Sequence, residues 1–471
     1  MQKKDKIIEL ANRELARREF WHFCMYMDKK FFTEREDILK DIAYDMQSLV
    51  KPVPPRKELN ILNVSLPPRT GKSYLATLFS AWTLGHYPSE SIMRNSVTYD
   101  LYKKFSKDLI QIMLGQSHSN RYKNVFNLKL ETRSIDGWQL TEAKQGISYF
   151  GAGVGGAIIG FGASKLSILD DSVKNAEEAL NENSLNKKWG WYTSTMDSRE
   201  EQGCKKLFIG TRWSKFDIVG RLIDKGIFTL EDSKSIVIPA LINGESYCPS
   251  VHTTYSLLQK KLLLSDIIWE AEWQQEPIAA KGLVFPKEFL NYFEYDKLIE
   301  RIDESNIKLS LLDPADEGDD FLSFGILAEV KEKYYLIDVI FTQDVEEITQ
   351  PLVADMIDRY GPPTNYLEAN FGGKGYKRQL EKLTKGNCYI ELFKTTQNKH
   401  SKIIMQSGFI RQNFYFRKNY KVGSDYDKFM KNLTKYNKLG KVSHDDAPDM
   451  VAMMSERVRE SSGISFIGHG R

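Results

Sequence analysis

The triplet Gly71-Lys72-Ser73 stands between the apolar run 61–66 and a helical run over 74–82, with Pro67, Pro68, Arg69 and Thr70 leading into it. At a strand-to-helix junction such a triplet offers phosphate unpaired backbone N–H groups and the positive end of a helix dipole. It also offers a lysine to the β and γ phosphates and a hydroxyl to Mg²⁺. The implied chemistry is nucleotide binding, with Arg69, Thr70, Gly71, Lys72 and Ser73 on the phosphate side. Leu66 replaces the first glycine of the generic motif and two prolines withdraw N–H donors, so Arg69 is expected to act on the transferring phosphoryl group.

Hydrolysis needs an apolar strand ending in carboxylates. Leu166-Ser167-Ile168-Leu169-Asp170-Asp171 supplies one. Asp170 is the metal-side carboxylate, and Asp171, or Glu177 or Glu178 in its place, is the candidate for orienting the attacking water. A further run over 207–209 ends in Gly210-Thr211-Arg212-Trp213, where a parallel sheet presents groups to the γ-phosphate, so Thr211 and Arg212 are candidates to sense hydrolysis. Gly151, Gly153 and Gly156 satisfy G-x-G-x-x-G, yet only 11 residues separate Gly156 from Ile168, and Gly160 and Gly162 lie among them. No three-turn crossover helix fits there, so a flexible loop near nucleotide or DNA is expected instead of a dinucleotide site.

Downstream, Asp313 follows the run 309–312, Glu368 ends 364–367, and Asp445, Asp446 and Asp449 open a helical run over 450–458. Singly, each reads as a helix cap or an exposed turn. Together they match two-metal phosphodiester hydrolysis, in which carboxylates from several elements hold ions about 3.5–4 Å apart. A hairpin with one Asp, a later strand with Glu and a terminal helix with Asp is the order of a ribonuclease-H-like nuclease. The acidic run Asp313, Asp316, Glu317, Asp319, Asp320 fails the calcium-loop spacing at Ala315 and Gly318. Residues 411–441 hold nine Lys/Arg against two Asp, interleaved with aromatic residues, a stretch suited to gripping DNA phosphates or to covering an aromatic core with a solvated face.

The elements that must position these groups follow from pattern and composition. With 471 residues, 41% hydrophobic and 27% charged, the chain has the make-up of an ordinary globular protein of two to four domains, not a disordered or collagen-like one. A net charge of +3 is silent on nucleic acid. Four cysteines without a C-x-x-C pair argue against a zinc ribbon and a disulfide framework, and point to a reducing compartment. With no 18-residue apolar run and a mixed-charge start, neither a membrane span nor secretion is expected. Helices are expected over 5–48, with a break at the prolines of 51–55. Runs at 61–66, 165–169, 206–209 and 235–238 alternating with helices predict a parallel sheet. After 275–305, which lacks strand rhythm, runs at 309–312, 322–330 and 334–341 predict antiparallel strands.

In this order, the residues from Pro67 to Ser73, the Asp170-Asp171 strand with Lys174-Asn175-Ala176-Glu177-Glu178, Gly210-Thr211-Arg212-Trp213, Asp313, Glu368 and His444-Asp445-Asp446-Ala447-Pro448-Asp449 resemble the large terminase subunits of tailed bacteriophages over about residues 20–460. The resemblance implies a RecA-like (ASCE) P-loop ATPase domain over 1–274, a linker over 275–305, a ribonuclease-H-like nuclease over 306–460 and a flexible tail over 461–471. It implies a motor that uses ATP and Mg²⁺ to push double-stranded DNA into a procapsid, and an endonuclease with two Mg²⁺ or Mn²⁺ that cuts the concatemer. Lys72 and Ser73 would take the phosphate-loop roles, Asp170 and Asp171 the Walker B roles and Thr211 the coupling role. Asp313, Glu368 and Asp446 would bind metal, assisted by Asp445 and Asp449. Implied partners are the small terminase subunit, the portal protein and further copies in a pentameric ring, in the bacterial host cytoplasm. Two departures stand out. Residues 134–198 contain no arginine, which leaves Arg69, Arg133, Arg199 or Arg212 to supply an arginine finger, and the second Walker B carboxylate is Asp171 where Glu is commoner. The rival readings are a repair or recombination helicase-nuclease without a capsid, and a DNA-binding scaffold with a vestigial P-loop, against which Lys72, Ser73 and Asp170 argue.

Overall fold

The computed structural model describes residues 3–115, 120–144, 146–158, 160–277, 283–314, 320–369, 373–386, 388–437 and 445–461. The residues Ala315, Asp316, Glu317, Gly318 and Asp319 of the acidic run, His444 and nearly all of the tail lie outside them. The chain divides into two compact units, Met1–Lys260 with Ile267–Ile278, and Lys261–Asp266 with Ala279–Arg471.

The first unit is built on a sheet of β1 (Ile61–Ser65), β2 (Ile92–Ser96), β3 (Gly137–Trp138), β4 (Tyr149–Phe150), β5 (Leu166–Asp170), β6 (Lys205–Gly210) and β7 (Ser233–Val237), in the order β3-β4-β2-β5-β6-β1-β7. Every pairing is parallel except β3 with β4. β2 and β5 are buried along their whole length and β1 from its second residue, the burial a parallel sheet covered on both faces demands. Because β6 lies between β1 and β5, the phosphate-loop strand and the carboxylate strand end on one edge, one strand apart. The helix Lys72–His86 is apolar nearly all round and is covered by the N-terminal helices. Phe20, on the helix Phe20–Met27, packs 5.0 Å from Phe79 and 5.8 Å from Trp82, and Trp82 Nε1 donates to the Ala16 carbonyl at 3.0 Å. A short hairpin, β8 (Leu241–Ile242) and β9 (Glu245–Ser246), follows β7.

The second unit carries β10 (Asn291–Phe293), β11 (Ile307–Asp313), β12 (Leu322–Val330), β13 (Lys333–Thr342), β14 (Asn365–Glu368), β15 (Ile390–Phe393) and β16 (Phe414–Arg417), in the order β10-β16-β13-β12-β11-β14-β15. β11, β12 and β13 form an antiparallel meander, and β14 and β15 run parallel to β11 on its other side, the ribonuclease-H-like arrangement. The helix Asp446–Ser461 lies on the meander. A Cβ on Gly325 would stand 3.0 Å from Leu336 Cδ1, Met450 Cε and Met454 Cε, so the helix's methionine tips pack directly on the strand at this glycine. That contact buries the helix's first turn, with Asp446 and Asp449, against the strands. β10 falls inside the stretch without strand rhythm; three residues are too few to show alternation.

Candidate active sites

Lys72 is buried at the start of its helix, after Gly71 in the left-handed conformation (φ 96°). Its ammonium donates to Thr211 Oγ1 at 2.7 Å and to the Leu66 carbonyl at 3.2 Å. The Ser73 hydroxyl donates to Asp170 Oδ1 at 2.9 Å. Four residues from three separate stretches of sequence thus meet at one sheet edge. A hydroxyl beside a carboxylate is a pair of hard oxygen donors and fits a nucleotide-bound Mg²⁺. Asp171 has left-handed backbone (φ 57°), and its Oδ1 accepts the Thr211 N–H at 2.8 Å. Burial raises its carboxyl above the ordinary range, with Lys72 opposing. Glu178 accepts from the Lys174 N–H at 2.6 Å and pairs with Lys188 at 2.9 Å, while Glu177 is half-buried in the same turn.

Thr70 is buried, its hydroxyl on the Pro67 carbonyl at 3.2 Å. Arg69 is exposed at φ 69° and makes no hydrogen bond or ion pair with the described residues. Arg212 is buried, with Nε 3.9 Å from Asp217; Arg133 is exposed and Arg199 half-buried. Sequence reasoning missed two residues here. Arg94, in β2, is wholly buried; its guanidinium pairs with Asp170 and donates to Thr77 Oγ1 at 2.8 Å and the Ser73 carbonyl at 3.0 Å, its face 3.8 Å from the Phe105 ring centroid. A lone arginine in a strand itself not foreseen gave no signal. Glu272 is half-buried, with Lys72 and Asp171 among the charges that act on its carboxyl.

In the second unit, Asp313 ends β11 and Glu368 ends β14, neighbouring parallel strands in register at Leu312 and Leu367, so both carboxylates reach the same edge. Burial first, then the charges of Asp449 and Glu368, pushes the Asp313 carboxyl well above the ordinary range. Asp446 takes the Phe321 N–H on Oδ2 at 3.3 Å. Two lysines absent from the sequence reading close the cluster. Lys399 Nζ lies 2.7 Å from Asp445, 3.3 Å from Asp446 and 3.6 Å from Asp449, and Lys402, 1% exposed, lies 2.5 Å from Asp449. Their i, i+3 spacing on the helix Lys399–Asn413 puts them on one face, a signal that was available. Among the described residues no three His, Cys, Asp or Glu side chains are already arranged as a metal cage. The donor chemistry nonetheless suits divalent cations, because carboxylates held together against their repulsion are what such a charge relieves.

No family model matches the chain, and no curated protein matches it. Among solved structures, the large terminase of a thermophilic bacteriophage aligns over 88% of this chain and 97% of its own, at TM-score 0.50 and 11% identity. The fold matches that of a phage large terminase. Another crystal form of the same thermophilic phage protein gives TM-score 0.48 over the same shares at 11% identity, and the HK97 bacteriophage large terminase gives 0.36 over 90% of this chain and 94% of its own, also at 11%.

On this terminase fold the glycine-rich segment, for which the sequence predicts a flexible loop, packs closely at Gly151 and Gly153, while Gly155 and Gly160 stand in open space. Val154 N–H donates to the Ser96 carbonyl at 2.8 Å, and a Cβ on Gly151 would stand 1.7 Å from the Arg94 carbonyl oxygen. A cavity of about 760 Å³ beside it is lined by Thr98, Tyr99, Asp136, Phe150 and Phe161, among others, and by none of the phosphate-side residues. In the basic stretch, Phe414, Phe416, Tyr426, Phe429 and Tyr436 are core residues, while Lys418, Lys421, Lys428, Lys431 and Lys435 are exposed. Lys438 and Lys441 lie outside the described residues.

Proposed function

We propose that the chain is a viral DNA-packaging motor: an ATPase that drives double-stranded DNA into a procapsid, coupled to an endonuclease that cuts the concatemeric genome. The observation that carries this reading is the double lock of Lys72 on Thr211 and Ser73 on Asp170 across β1, β6 and β5, in a chain with a large terminase's fold. Lys72 takes the β and γ phosphates, exchanging its contacts with Thr211 and Leu66 for phosphate oxygens. Thr211 holds both Lys72 and, through its N–H, Asp171, so the end of β6 responds to what the lysine binds. Ser73 and Asp170 hold Mg²⁺, which screens phosphate charge. In the second unit Asp313, Glu368 and Asp446, with Asp445 and Asp449, hold two Mg²⁺ or Mn²⁺ that stabilise charge on the scissile phosphodiester. Lys399 and Lys402 neutralise the cluster meanwhile.

We place the ATPase over 1–274 and the nuclease over 306–460; of the stretch 275–305 between them, 275–277 belong to the first unit and β10 to the second unit's sheet. The small terminase subunit, the portal protein and further copies in a pentameric ring are the partners, in the bacterial host cytoplasm. Among the described residues no helix is long and apolar enough to cross a membrane. The test is DNA-stimulated ATP hydrolysis and Mn²⁺-dependent plasmid nicking by the purified chain, followed by protection of DNA from nuclease when procapsids are added. A chain with both activities that protects no DNA would be a helicase-nuclease of the repair class; one with neither would be a scaffold.

A further inference from the structure

Asp171 stands where an ATPase strand offers its water-orienting carboxylate, but its geometry commits that group elsewhere. Oδ1 accepts the Thr211 N–H at 2.8 Å, and a Cβ on Gly210 would lie 2.7 Å from the same oxygen, so the carboxylate is folded over the end of β6. Glu178 is held by Lys188 and by the Lys174 N–H.

The turn Trp269–Trp273 carries another carboxylate, that of half-buried Glu272, with the Lys72 ammonium and the Asp171 carboxylate among the charges that act on it. It is π-helical, a geometry that re-aims side chains by one inserted residue and concentrates at functional sites. It is fixed from two sides, to the phosphate loop and to the end of β6. The Trp273 carbonyl accepts the Ala240 N–H at 2.8 Å, and its ring lies 5.3 Å from that of His252, whose Nε2 is 3.1 Å from the Pro68 carbonyl. Gln275, in left-handed conformation at φ 59°, accepts the Arg212 N–H at 2.9 Å and donates to the Glu272 carbonyl at 2.5 Å. Arg212 follows Thr211, the residue that holds Lys72. Glu272 therefore sits on a braced turn, one hydrogen-bonded side chain away from the strand end that touches the phosphate-loop lysine.

We propose that Glu272 is the general base of ATP hydrolysis, an inference that rests on the ATPase reading above. Its carboxylate takes a proton from water as the water oxygen bonds to the γ-phosphorus. The bond from that phosphorus to the β,γ-bridging oxygen breaks, and ADP leaves with the electron pair beside Lys72. The proton then passes from Glu272 to the phosphate released. Burial pushes this carboxyl up to about 7, opposed by the Lys72 and Lys260 ammonium groups and reinforced by Asp171. A base titrating there is both partly ionised and strong enough to accept a proton near neutrality. His252, with Arg69 near it, is pushed below its ordinary range by burial.

The experiment uses the full chain with Glu272→Gln, Glu272→Asp and Asp171→Asn, measuring binding of a fluorescent ADP analogue and ATP turnover from about pH 5.5 to 8.5. Because the base acts ionised, wild-type turnover should rise with pH through about 7 and then level off. Glu272→Gln should lower turnover by about 10²–10⁴-fold, leave analogue binding within about threefold and abolish the rise near pH 7. Glu272→Asp should be slower but keep the rise, and it decides the matter if the Gln variant does not fold: loss of the rise in the Asp variant overturns the assignment. So does turnover by Glu272→Gln within about twofold of wild type, or a rise lost in Asp171→Asn and kept in Glu272→Gln. A folded wild-type chain without ATP turnover would defeat the ATPase reading itself, which the variants do not address.

Discussion

Arg94 and Asp170 form an ion pair with both side chains fully buried, in the middle of the candidate nucleotide site. Breaking such a pair leaves a charge without a partner in a medium that cannot solvate it, at about 3–5 kcal/mol. Arg94→Gln should lower unfolding stability by about that amount in urea titration, and adding Asp170→Asn should return part of it, since the second change removes the stranded charge. Recovery distinguishes a charge effect from a packing defect. Arg69 has the opposite character: exposed, left-handed and unpaired among the described residues, it is available to a phosphoryl group. Arg69→Ala should reduce ATP turnover more than nucleotide affinity. A rate within about twofold of wild type, roughly 0.4 kcal/mol in barrier, would place the residue outside the site.

At the level of elements, the end of β2 and the glycine-rich loop approach so closely that backbone touches backbone. Gly151→Ala would drive a methyl into the Arg94 carbonyl, 1.7 Å away if nothing moved, so strand and loop must part. The loss should match or exceed the usual 1–3 kcal/mol of overpacking, about 5 °C or more in melting temperature. Because Arg94 is carried by the same strand, ATP turnover should fall with it. The helix Asp425–Lys435 makes a different prediction. It buries Tyr426, Phe429 and Met430 and turns Lys428 and Lys431 outward, where surface pairing with Asp425 and Asp427 holds them only weakly. Alanine at Lys418, Lys421, Lys428 and Lys431 should weaken DNA binding equally on unrelated sequences and flatten its dependence on salt. A loss confined to one sequence would mean base readout instead.

Taken whole, the molecule places its two candidate sites in two units, each with its own sheet and core. Lys72→Ala removes the charge meant for the β and γ phosphates, so ATP hydrolysis and DNA translocation should fail. Nothing in metal-assisted cleavage uses that lysine, so Mn²⁺-dependent nicking by the free chain should persist. Asp313→Ala should do the reverse: nicking falls by orders of magnitude, ATP turnover stays near wild type and pre-cut linear DNA is still packaged. Loss of nicking in a folded Lys72→Ala chain, or of ATP turnover in a folded Asp313→Ala chain, would contradict the assignment of one chemistry to each unit.

Much of this was legible in the sequence because it is written locally. A Gly-Lys-Ser at a strand-to-helix junction, an apolar run ending in Asp170, and three carboxylate sites in order along the chain each depend on a handful of adjacent residues. Strands buried on both faces announce themselves as apolar runs, which is why β1, β5 and β6 and the antiparallel meander stood out. β2 did not: Ile-Met-Arg-Asn-Ser reads as polar, and only the fold reveals that its arginine is neutralised by an aspartate 76 residues away. The same holds for Lys399 and Lys402 beside Asp449, for Glu272 beside the phosphate loop and for the folding back of Asp171 onto Thr211. Each is a partnership between side chains distant in sequence. Chain order alone carries no information about such distances; the packing of helices on sheets sets them.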